Sequence, residues 1–436
     1  MYRESIKDLC AWKQKKNRKP LILEGARQVG KTWLLKEFGR TEYQDTVYIN
    51  FDSNSQMEQL FAGDLIPANL IEGIELYSGK KIDPSNTLLI FDEIQEVPRA
   101  LSSLKCFMEE APEYQIVCAG SLLGIALHSG TSFPVGKVEL MNLYSMSFQE
   151  FLKATGNDQY SKVLEQKNVT MLNAFGKTYE KLLKQYYFVG GMPEAVQAFA
   201  RDHDYGEVRT IQQNILNAYD QDISKHTEAY IISKIRAVFQ SVPSQLAKEN
   251  KKFVYGLIRD GARAKDYEKA IMWLTDCGIL HKVSRITMPH LPLKAYEDLK
   301  AFKLYLCDVG LLGCMSGISA DTLLNGNELF VEFKGAMTEQ YVFQELKALR
   351  KYPIYYYTND RNTLEIDFVI DDGNRIIPIE AKAETNLHAK SLKTYRQKYQ
   401  PECSVRLSMM NYKAEDGLIN IPLYAISMMD EIKKIA

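Results

Sequence analysis

The chain carries a glycine-rich segment with the pattern G-x-x-x-x-G-K-T directly after the apolar run Leu21–Leu23. Glycines let successive backbone N–H groups face phosphate oxygens, and the N-terminus of a following helix adds its positive dipole end. In such a loop Lys31 reaches the β and γ phosphates, and the Thr32 hydroxyl helps to hold Mg²⁺. A coincidental glycine turn is the alternative, but an apolar strand before the loop and a helix after it favour phosphate binding. The residues predicted to bind ATP here are Gly25, Ala26, Arg27, Gln28, Val29, Gly30, Lys31, Thr32 and Trp33.

Two carboxylates follow a later apolar run. Leu88–Phe91 leads directly into Asp92 and Glu93, and α/β sheets bind their ligands at the C-terminal ends of their strands. Asp92 is therefore predicted to bind Mg²⁺, directly or through water, and Glu93 to polarise the attacking water as the catalytic base. An ordinary strand end capped by acids gives the same pattern, but the glycine-rich loop upstream favours a metal site.

Ser121 follows another strand candidate, Ile116–Ala119. Its hydroxyl is predicted to contact the terminal phosphate of the nucleotide, and an equally good interpretation is the N-cap of a helix that starts at Leu122. Both roles can coexist.

A cation that reaches a neighbour's nucleotide would stabilise the transition state. The candidates for this cation, among which nothing in the sequence chooses, are Arg99, Lys137 and Arg263.

A second group of charged residues lies near the C-terminus. Glu365-Ile366-Asp367 and Ile379-Glu380-Ala381-Lys382 flank a turn. On adjacent strands of a hairpin, Asp367 and Glu380 can converge on one divalent cation, with Lys382 on the same face as Glu380. Two carboxylates that hold a metal, with a lysine that orients or deprotonates water, suit the hydrolysis of a phosphodiester.

This spacing resembles the restriction-endonuclease-like superfamily, in which a further acid stands on a preceding helix. Glu339 matches that position, in a helix predicted over residues 335–350. The resemblance implies a nuclease site formed by Glu339, Asp367, Glu380 and Lys382. An ordinary hairpin with alternating polar residues generates the same pattern, so both interpretations stay open.

Short apolar runs alternate with amphipathic segments over about the first 150 residues, which predicts an α/β domain with a parallel sheet. The predicted strands are 21–23, 47–51, 88–91, 116–119 and 138–143. Helical periodicity then runs from Phe148 to Lys225, with a break at Gly190–Pro193. This second part is predicted to be a helical extension.

Helices followed by two strands, Leu280–Ser284 and Phe302–Leu306, predict a winged-helix module. Winged helices bind DNA and also dock proteins. A mixed α/β pattern returns with strands predicted at 354–357, 364–370 and 375–381. The basic residues around the predicted recognition helix are Lys248, Lys251, Lys252, Arg259, Arg263 and Lys265.

The composition excludes several classes of protein. A hydrophobic fraction of 46% and a charged fraction of 25% are ordinary for a globular chain. The formal net charge of -1 gives no global basic field for nucleic acid. The 7 cysteines have no metal-ligand spacing, and no apolar stretch approaches the roughly 20 residues that span a bilayer. No secretion signal is recognised, so a cytoplasmic protein without a membrane partner is expected, with its oligomeric state open.

Together, the loop, the Asp92-Glu93 strand end and Ser121 resemble the AAA-type ATPases of prokaryotes, in the branch whose loop reads Gly-Ala-Arg-Gln-Val-Gly-Lys-Thr. The resemblance implies an AAA-type ATPase joined to a C-terminal domain of uncharacterised role. Lys137 stands where that branch is expected to have an arginine, and lysine lacks the planar fork of a guanidinium. Segments similar to later motifs of the branch follow in order: Tyr48–Asp52, Ser132–Lys137, Gly190–Ala195, Trp273–Gly278, Lys303–Leu306 and Asp308–Leu312.

The predicted fold is therefore α/β in class, with four domains. They are a P-loop NTPase parallel sheet at 1–155, a helical lid at 156–228, a winged-helix-like module at 229–312 and a C-terminal α/β restriction-endonuclease-like domain at 313–436. The predicted function is Mg²⁺-dependent ATP hydrolysis coupled to a nuclease-like or nucleic-acid-binding domain, with DNA or RNA as partner. The alternative is a nucleotide-dependent signalling or defence switch, whose C-terminal domain is a catalytically inactive module that binds a partner protein.

Overall fold

The chain divides into two compact units. The computed structural model describes residues 1–120, 133–225, 227, 229–248, 251–326, 331–359, 363–383 and 390–431. The N-terminal unit comprises Arg3–Tyr144 and the short segment Asp276–Ile279. The C-terminal unit comprises Met1–Tyr2, Ser145–Thr275 and Leu280–Ala436. The three domains predicted after residue 155 thus lie within one unit, apart from residues 276–279.

A five-stranded parallel sheet forms the centre of the N-terminal unit. Its strands are β1 (Leu21–Glu24), β2 (Asp45–Asn50), β3 (Thr87–Asp92), β4 (Gln115–Ala119) and β5 (Glu139–Asn142). Their order across the sheet is β2-β3-β4-β1-β5. Ala119, at the end of β4, is paired with Leu23 of β1 on one side and Asp92 of β3 on the other. The predicted parallel α/β sheet is confirmed, and the C-terminal ends of these strands meet at one edge.

Helices and aromatic side chains support this sheet. Strands β3 and β4 are buried along their whole length, which accounts for their uninterrupted apolar sequences. Phe51, Phe61 and Phe91 meet edge to face in the core. Because Phe91 immediately precedes Asp92, this packing fixes the end of β3. The described helices of the unit are α1 (Ser5–Lys13), α2 (Lys31–Glu42), α3 (Ser55–Ala62), α4 (Pro67–Ser78) and α5 (Pro98–Glu110).

The C-terminal unit begins with a run of helices. They are α6 (Phe148–Ala154), α7 (Asp158–Glu165), α8 (Val169–Ala174), α9 (Gly176–Val189), α10 (Pro193–Asp202), α11 (Tyr205–Lys225), α12 (Ala229–Leu246) and α13 (Ala264–Asp276). The predicted break after α9 has a packing reason. A Cβ on Gly190 would lie 2.1 Å from Asp308 Oδ1, and the Gly191 N–H donates to Asp308 Oδ2 at 2.6 Å. Only glycine allows the backbone to approach this carboxylate so closely.

An eight-stranded mixed sheet completes the unit. Its strands are β6 (Leu280–Ile286), β7 (Glu297–Leu306), β8 (Ile354–Thr358), β9 (Glu365–Asp371), β10 (Ile376–Ala381), β11 (Ser404–Ser408), β12 (Lys413–Glu415) and β13 (Leu418–Pro422). The order is β12-β13-β11-β10-β9-β8-β6-β7. The later helices are α14 (Val309–Met315), α15 (Val331–Ala348) and α16 (Lys390–Tyr399).

The two strands predicted as a separate wing are part of this larger sheet. β6 and β7 pair with each other, and β6 also pairs in parallel with β8, where Arg285 is opposite Tyr356. The sheet therefore crosses the domain boundary predicted at residue 312. The sequence pattern indicates a hairpin correctly, but the periodicity of a strand does not identify its neighbours.

Within the described parts of the chain, no helix combines the length and apolarity needed to cross a membrane.

Candidate functional site

The glycine-rich loop connects β1 to α2 and depends on its glycines. Gly25 and Gly30 adopt φ values of 147° and 93°, which residues with a Cβ rarely reach. A Cβ on Gly25 would also lie 2.2 Å from the carbonyl oxygen of Leu143. The loop therefore adopts a backbone path that other residue types would obstruct, and α2 begins directly after Gly30.

The other side chains of the loop divide into two groups. Ala26 and Val29 are buried and anchor the loop to the N-terminal unit. Arg27, Gln28 and Trp33 are exposed. Nucleotide contacts from these three exposed side chains stay predictions.

Lys31 is buried at the start of α2. Its Nζ donates to the carbonyl oxygens of Gly25 and Ala26 at 2.7 and 2.9 Å. Burial lowers the pKa of Lys31 to about 8, although Glu93 and Asp92 act in the opposite direction. The loop thus holds an ammonium group whose positive charge is only partly compensated.

Thr32 and Asp92 come together from opposite sides of the predicted site. Thr32 Oγ1 donates a hydrogen bond to Asp92 Oδ2 at 2.8 Å. Tyr48 Oη donates to the same oxygen at 2.8 Å, and Lys36 Nζ lies 3.6 Å from the centroid of the Tyr48 ring. Asp92 is buried. Its carboxylate is therefore held by one hydroxyl from α2 and one from β2.

Glu93 follows Asp92 in a left-handed conformation, with φ 50° and ψ 42°. A non-glycine residue in this region is uncommon and is frequent at functional sites. The conformation ends β3 and turns the chain into the short helix Ile94–Glu96. Gln95 Nε2 donates to Glu93 Oε2 at 2.7 Å. The predicted base thus lies directly after the predicted metal ligand, and the amide of Gln95 orients its carboxylate.

Ser121 lies outside the described residues, so its predicted role stays a prediction. The described strand β4 ends at Ala119, which pairs with Leu23 of β1 and Asp92 of β3.

The candidate trans-acting cations differ in their surroundings. Arg99 donates to the carbonyl oxygens of Phe61 and Gly63 at 2.9 and 2.5 Å, so it holds the end of α3. Lys137 pairs with Glu109 at 2.8 Å, and Arg263 is exposed. Action on a neighbour's nucleotide stays a prediction for all three.

Two contacts to the loop were not expected from the sequence. Arg3 is buried and donates to the carbonyl oxygens of Val29 at 2.8 Å and Tyr144 at 2.6 Å. Gly278, in the segment 276–279, lies so close that a Cβ on it would be 3.1 Å from the Ala26 nitrogen. Gly278 ends one of the motifs on which the family resemblance rests. Arg3 lies in a basic N-terminal stretch and carries no signal of its own.

The predicted nuclease residues of the C-terminal unit lie in a buried cluster that also contains two lysines. Lys303 Nζ contacts Glu339 Oε1 at 2.9 Å and Glu365 Oε1 at 2.7 Å. Tyr305 Oη donates to Glu339 Oε1 at 2.5 Å, and Lys251 Nζ contacts Glu339 Oε2. Burial would raise the pKa of Glu339, but the two lysines lower it to about 2. Both oxygens of the Glu339 carboxylate are therefore occupied by donors from the chain itself.

Asp367, Glu380 and Lys382 lie at the other end of this cluster. The hairpin predicted for them is present, since β9 and β10 pair antiparallel. Asp367 Oδ2 accepts from the Ala381 N–H at 2.9 Å, and Glu380 Oε1 pairs with Lys382 at 3.1 Å. Burial and then the charge of Glu339 raise the pKa of Asp367 to about 7.

A metal site formed by three of these acids is not seen. Throughout the described ranges, no three His, Cys, Asp or Glu side chains are grouped so that they could hold a metal ion. Glu339, Asp367 and Glu380 thus do not form the three-carboxylate group that the resemblance implies. The physical reason is visible at Glu339, whose carboxylate faces Lys303 and Lys251 instead.

The basic residues of the predicted recognition helix do not act as one group. Lys251 points inward to Glu339, with 15% of its side chain exposed. Lys248, Lys252, Arg259, Arg263 and Lys265 are exposed. Nucleic-acid binding at this surface stays a prediction.

The parallel sheet, the glycine-rich loop and the contact between Thr32 and Asp92 define the class of the N-terminal unit, a P-loop nucleotide-binding domain. More narrowly, residues 17–152 match the family described as AAA domain. This match covers all five strands and supports an AAA-type ATPase. Residues 180–322 match the family Domain of unknown function (DUF8612), and residues 334–426 match the family Domain of unknown function (DUF4143). No curated protein matches the chain.

Solved structures show weaker similarity. The Walker-type ATPase PABY2304 of Pyrococcus abyssi is 14% identical over 72% of this chain and 95% of its own, with a TM-score of 0.42. The Aeropyrum pernix Orc1 protein in complex with DNA is 11% identical over 72% of this chain and 90% of its own, with a TM-score of 0.27. The Thermotoga maritima RuvB Holliday junction branch migration motor is 11% identical over 64% of this chain and 89% of its own, with a TM-score of 0.28. At these values, neither the DNA nor the activity of these proteins carries over to this chain.

Proposed function

We propose that the N-terminal unit binds ATP with Mg²⁺ and hydrolyses it. The observation that carries the proposal is the 2.8 Å hydrogen bond between Thr32 and Asp92, which are 60 residues apart in sequence. It joins the helical end of the glycine-rich loop to the acidic end of β3. The match of this region to the AAA domain family supports the same activity.

The oxygen atoms of Thr32 and Asp92 fit Mg²⁺, because this ion prefers hard oxygen ligands and usually takes only one or two carboxylates from the protein. Thr32 and Asp92 would hold the ion, which when bound would neutralise charge on the phosphates. Tyr48 would keep the Asp92 carboxylate in one orientation, since its hydroxyl donates to Oδ2.

Lys31 and Glu93 would perform the remaining steps. The Lys31 ammonium donates to the carbonyl oxygens of Gly25 and Ala26. On binding ATP it would exchange part of this contact for phosphate oxygens. Glu93 would accept a proton from the attacking water at its carboxylate. Gln95 would hold that carboxylate through the 2.7 Å bond to Oε2.

The first test compares Lys31→Ala with Lys105→Ala, an exposed lysine of α5 that serves as a matched control. Nucleotide binding is measured by titration calorimetry with ATP and Mg²⁺. We expect Lys31→Ala to lose measurable binding, because the loop then lacks its cation, and Lys105→Ala to bind like the wild type. Wild-type affinity in Lys31→Ala would overturn the assignment of the loop.

For the C-terminal unit, we infer that the inactive partner-binding module is a better interpretation than the nuclease. The pairing of Glu339 with Lys251 and Lys303 favours it, because a carboxylate already neutralised by the chain has little remaining charge for a metal. The test is ATP turnover and nucleic-acid integrity with and without DNA and RNA. Intact nucleic acid and unchanged turnover are expected, and cleavage with Mg²⁺ or Mn²⁺ would overturn the inference.

A further inference from the structure

The cluster around Glu339 is built from two parts of the C-terminal unit. The carboxylates Glu339, Glu365, Asp367 and Glu380 lie in the segment 334–426, and Lys251, Lys303 and Tyr305 lie in the segment 180–322. The segment 334–426 thus supplies all four carboxylates together with Lys382, which pairs with Glu380, and the segment 180–322 supplies the two lysines that contact Glu339. Lys303 lies on β7, and Lys251 lies between α12 and α13.

Lys303 is the central residue of this cluster. Its side chain is completely buried, and its Nζ bridges Glu339 of α15 and Glu365 of β9. Lys251 contacts the second oxygen of Glu339. Two ammonium groups carry the same total charge as one divalent cation, so the lysines compensate the carboxylates as a metal would.

We propose that Lys303, with Lys251, is the internal cation of this cluster, so that the C-terminal unit takes no divalent metal ion there. The cluster instead acts as a buried ionic crosslink that fastens the segment 180–322 to the segment 334–426. This proposal does not depend on ATP hydrolysis by the N-terminal unit.

One carboxylate oxygen of the cluster, Glu380 Oε2, has the surroundings that a metal ligand would need. Glu380 Oε2 is buried and accepts no hydrogen bond from the described residues. A cation at this oxygen would need a second carboxylate, and Asp367 is the acid that faces the neighbouring strand. Asp367 already accepts from the Ala381 N–H, and Glu380 already pairs with Lys382 through its other oxygen. The experiment must therefore show whether or not a metal ion binds at Glu380.

The test measures Mn²⁺ binding by electron paramagnetic resonance in the full-length protein without nucleotide. All variants carry Asp92→Asn, which removes the acidic ligand of the N-terminal site. We expect no bound Mn²⁺ in this parent. Lys303→Met removes the ammonium group from Glu339 Oε1, which keeps its hydrogen bond from Tyr305, and from Glu365 Oε1. We expect this variant to bind Mn²⁺ about tenfold or more tightly than the parent.

Two results would overturn the proposal. One is a bound Mn²⁺ in the parent that disappears in Glu380→Gln. The other is a folded Lys303→Met protein that binds Mn²⁺ no more tightly than the parent.

Thermal unfolding gives a second, metal-free measurement in case Lys303→Met folds poorly. Lys303→Met/Glu365→Gln removes Lys303 together with one of its partners and leaves the pair of Glu339 and Lys251 in place. We expect the double variant to unfold at a higher temperature than Lys303→Met, because it no longer carries the partly desolvated charge of Glu365 without Lys303 beside it. Equal or lower unfolding temperature in the double variant would contradict an ionic crosslink.

Discussion

Two buried lysines, one in each unit, are held in opposite ways. Lys31 donates to two backbone carbonyls, and burial lowers its pKa to about 8. Lys303 contacts two carboxylates. Burial alone would lower the pKa of Lys303, but Glu339 and Glu365 raise it above its usual value. The first ammonium lacks sufficient negative charge around it, whereas the second has more than enough.

This difference separates a ligand site from a structural contact. A buried charge without full compensation is costly, and a ligand of opposite charge can supply what is missing. The phosphates of ATP would do so for Lys31. Lys303 has its compensation within the chain, so a further ligand gains little there. A lysine that is buried in both places is thus predicted to bind substrate in one unit and to hold the fold together in the other.

The largest expected effect contrasts Lys303→Met with Lys31→Met in folding stability. Lys303→Met takes a cation away from the buried Glu339, which keeps its contact with Lys251, and from the partly exposed Glu365. It is expected to lower the free energy of unfolding by about 3 kcal/mol. Lys31→Met removes a desolvated charge and is expected to leave the ligand-free protein as stable as the wild type, or slightly more so. Urea unfolding without nucleotide measures the stability of both variants. Similar losses of stability in the two would contradict the difference proposed between Lys31 and Lys303.

The pH dependence of ATP binding is the next largest effect. In the unfolded chain Lys31 has the usual lysine pKa of 10.5, whereas burial lowers its pKa to about 8 in the folded chain. Between these values the unfolded state binds more protons, so this group makes the ligand-free protein more stable as pH rises. ATP affinity instead falls as pH rises, because the phosphates bind the ammonium form of Lys31. We expect affinity to fall by up to about tenfold per pH unit above pH 8.

Calorimetry in two buffers of different ionisation enthalpy measures this effect as proton uptake on ATP binding. Lys31→Arg is the control, since a guanidinium stays charged throughout this range. The wild type is expected to take up protons above pH 8, and the arginine variant fewer. Equal uptake in both proteins would mean that Lys31 is not the group responsible.

A smaller effect concerns the approach of Gly278 to the loop. Gly278 and Gly261 have φ values of 71° and 75°, so alanine at either position is expected to cost about 1 kcal/mol of stability. A Cβ would be 3.1 Å from the Ala26 nitrogen at Gly278, and would meet nothing within 4 Å at Gly261. We therefore expect Gly278→Ala alone to weaken ATP binding, by about fivefold, or roughly 1 kcal/mol. Equal ATP affinities in the two alanine variants would show that the packing of Gly278 against the loop does not affect nucleotide binding.

Much of the N-terminal site could be predicted because its chemistry is encoded locally. The loop residues are consecutive, and the C-terminal ends of parallel strands meet at one edge, so Thr32 and Asp92 were expected to be close. Tyr48 could not be assigned, because its role depends on which side chain faces it on the neighbouring strand. Arg3 could not be assigned either, since its partners Val29 and Tyr144 are distant in sequence.

The C-terminal cluster shows the limit of the same reasoning. The pattern around Asp367 and Glu380 includes Lys382 but does not reveal Lys303 or Lys251, because these two lysines contact Glu339 only through tertiary packing. A signal was nevertheless present. Lys303 interrupts the apolar run Ala301–Leu306, all of which is buried, and a lysine in such a run requires a buried acid.

We propose that Glu93 is the base with which the N-terminal unit hydrolyses ATP, and a pair of glutamine variants checks this role. Glu93→Gln is compared with Glu96→Gln, an exposed glutamate in the same short helical turn, in ATP affinity and steady-state turnover. We expect Glu93→Gln to bind ATP like the wild type and to lose turnover by about 100-fold or more, while Glu96→Gln changes neither. Wild-type turnover in Glu93→Gln would contradict the account.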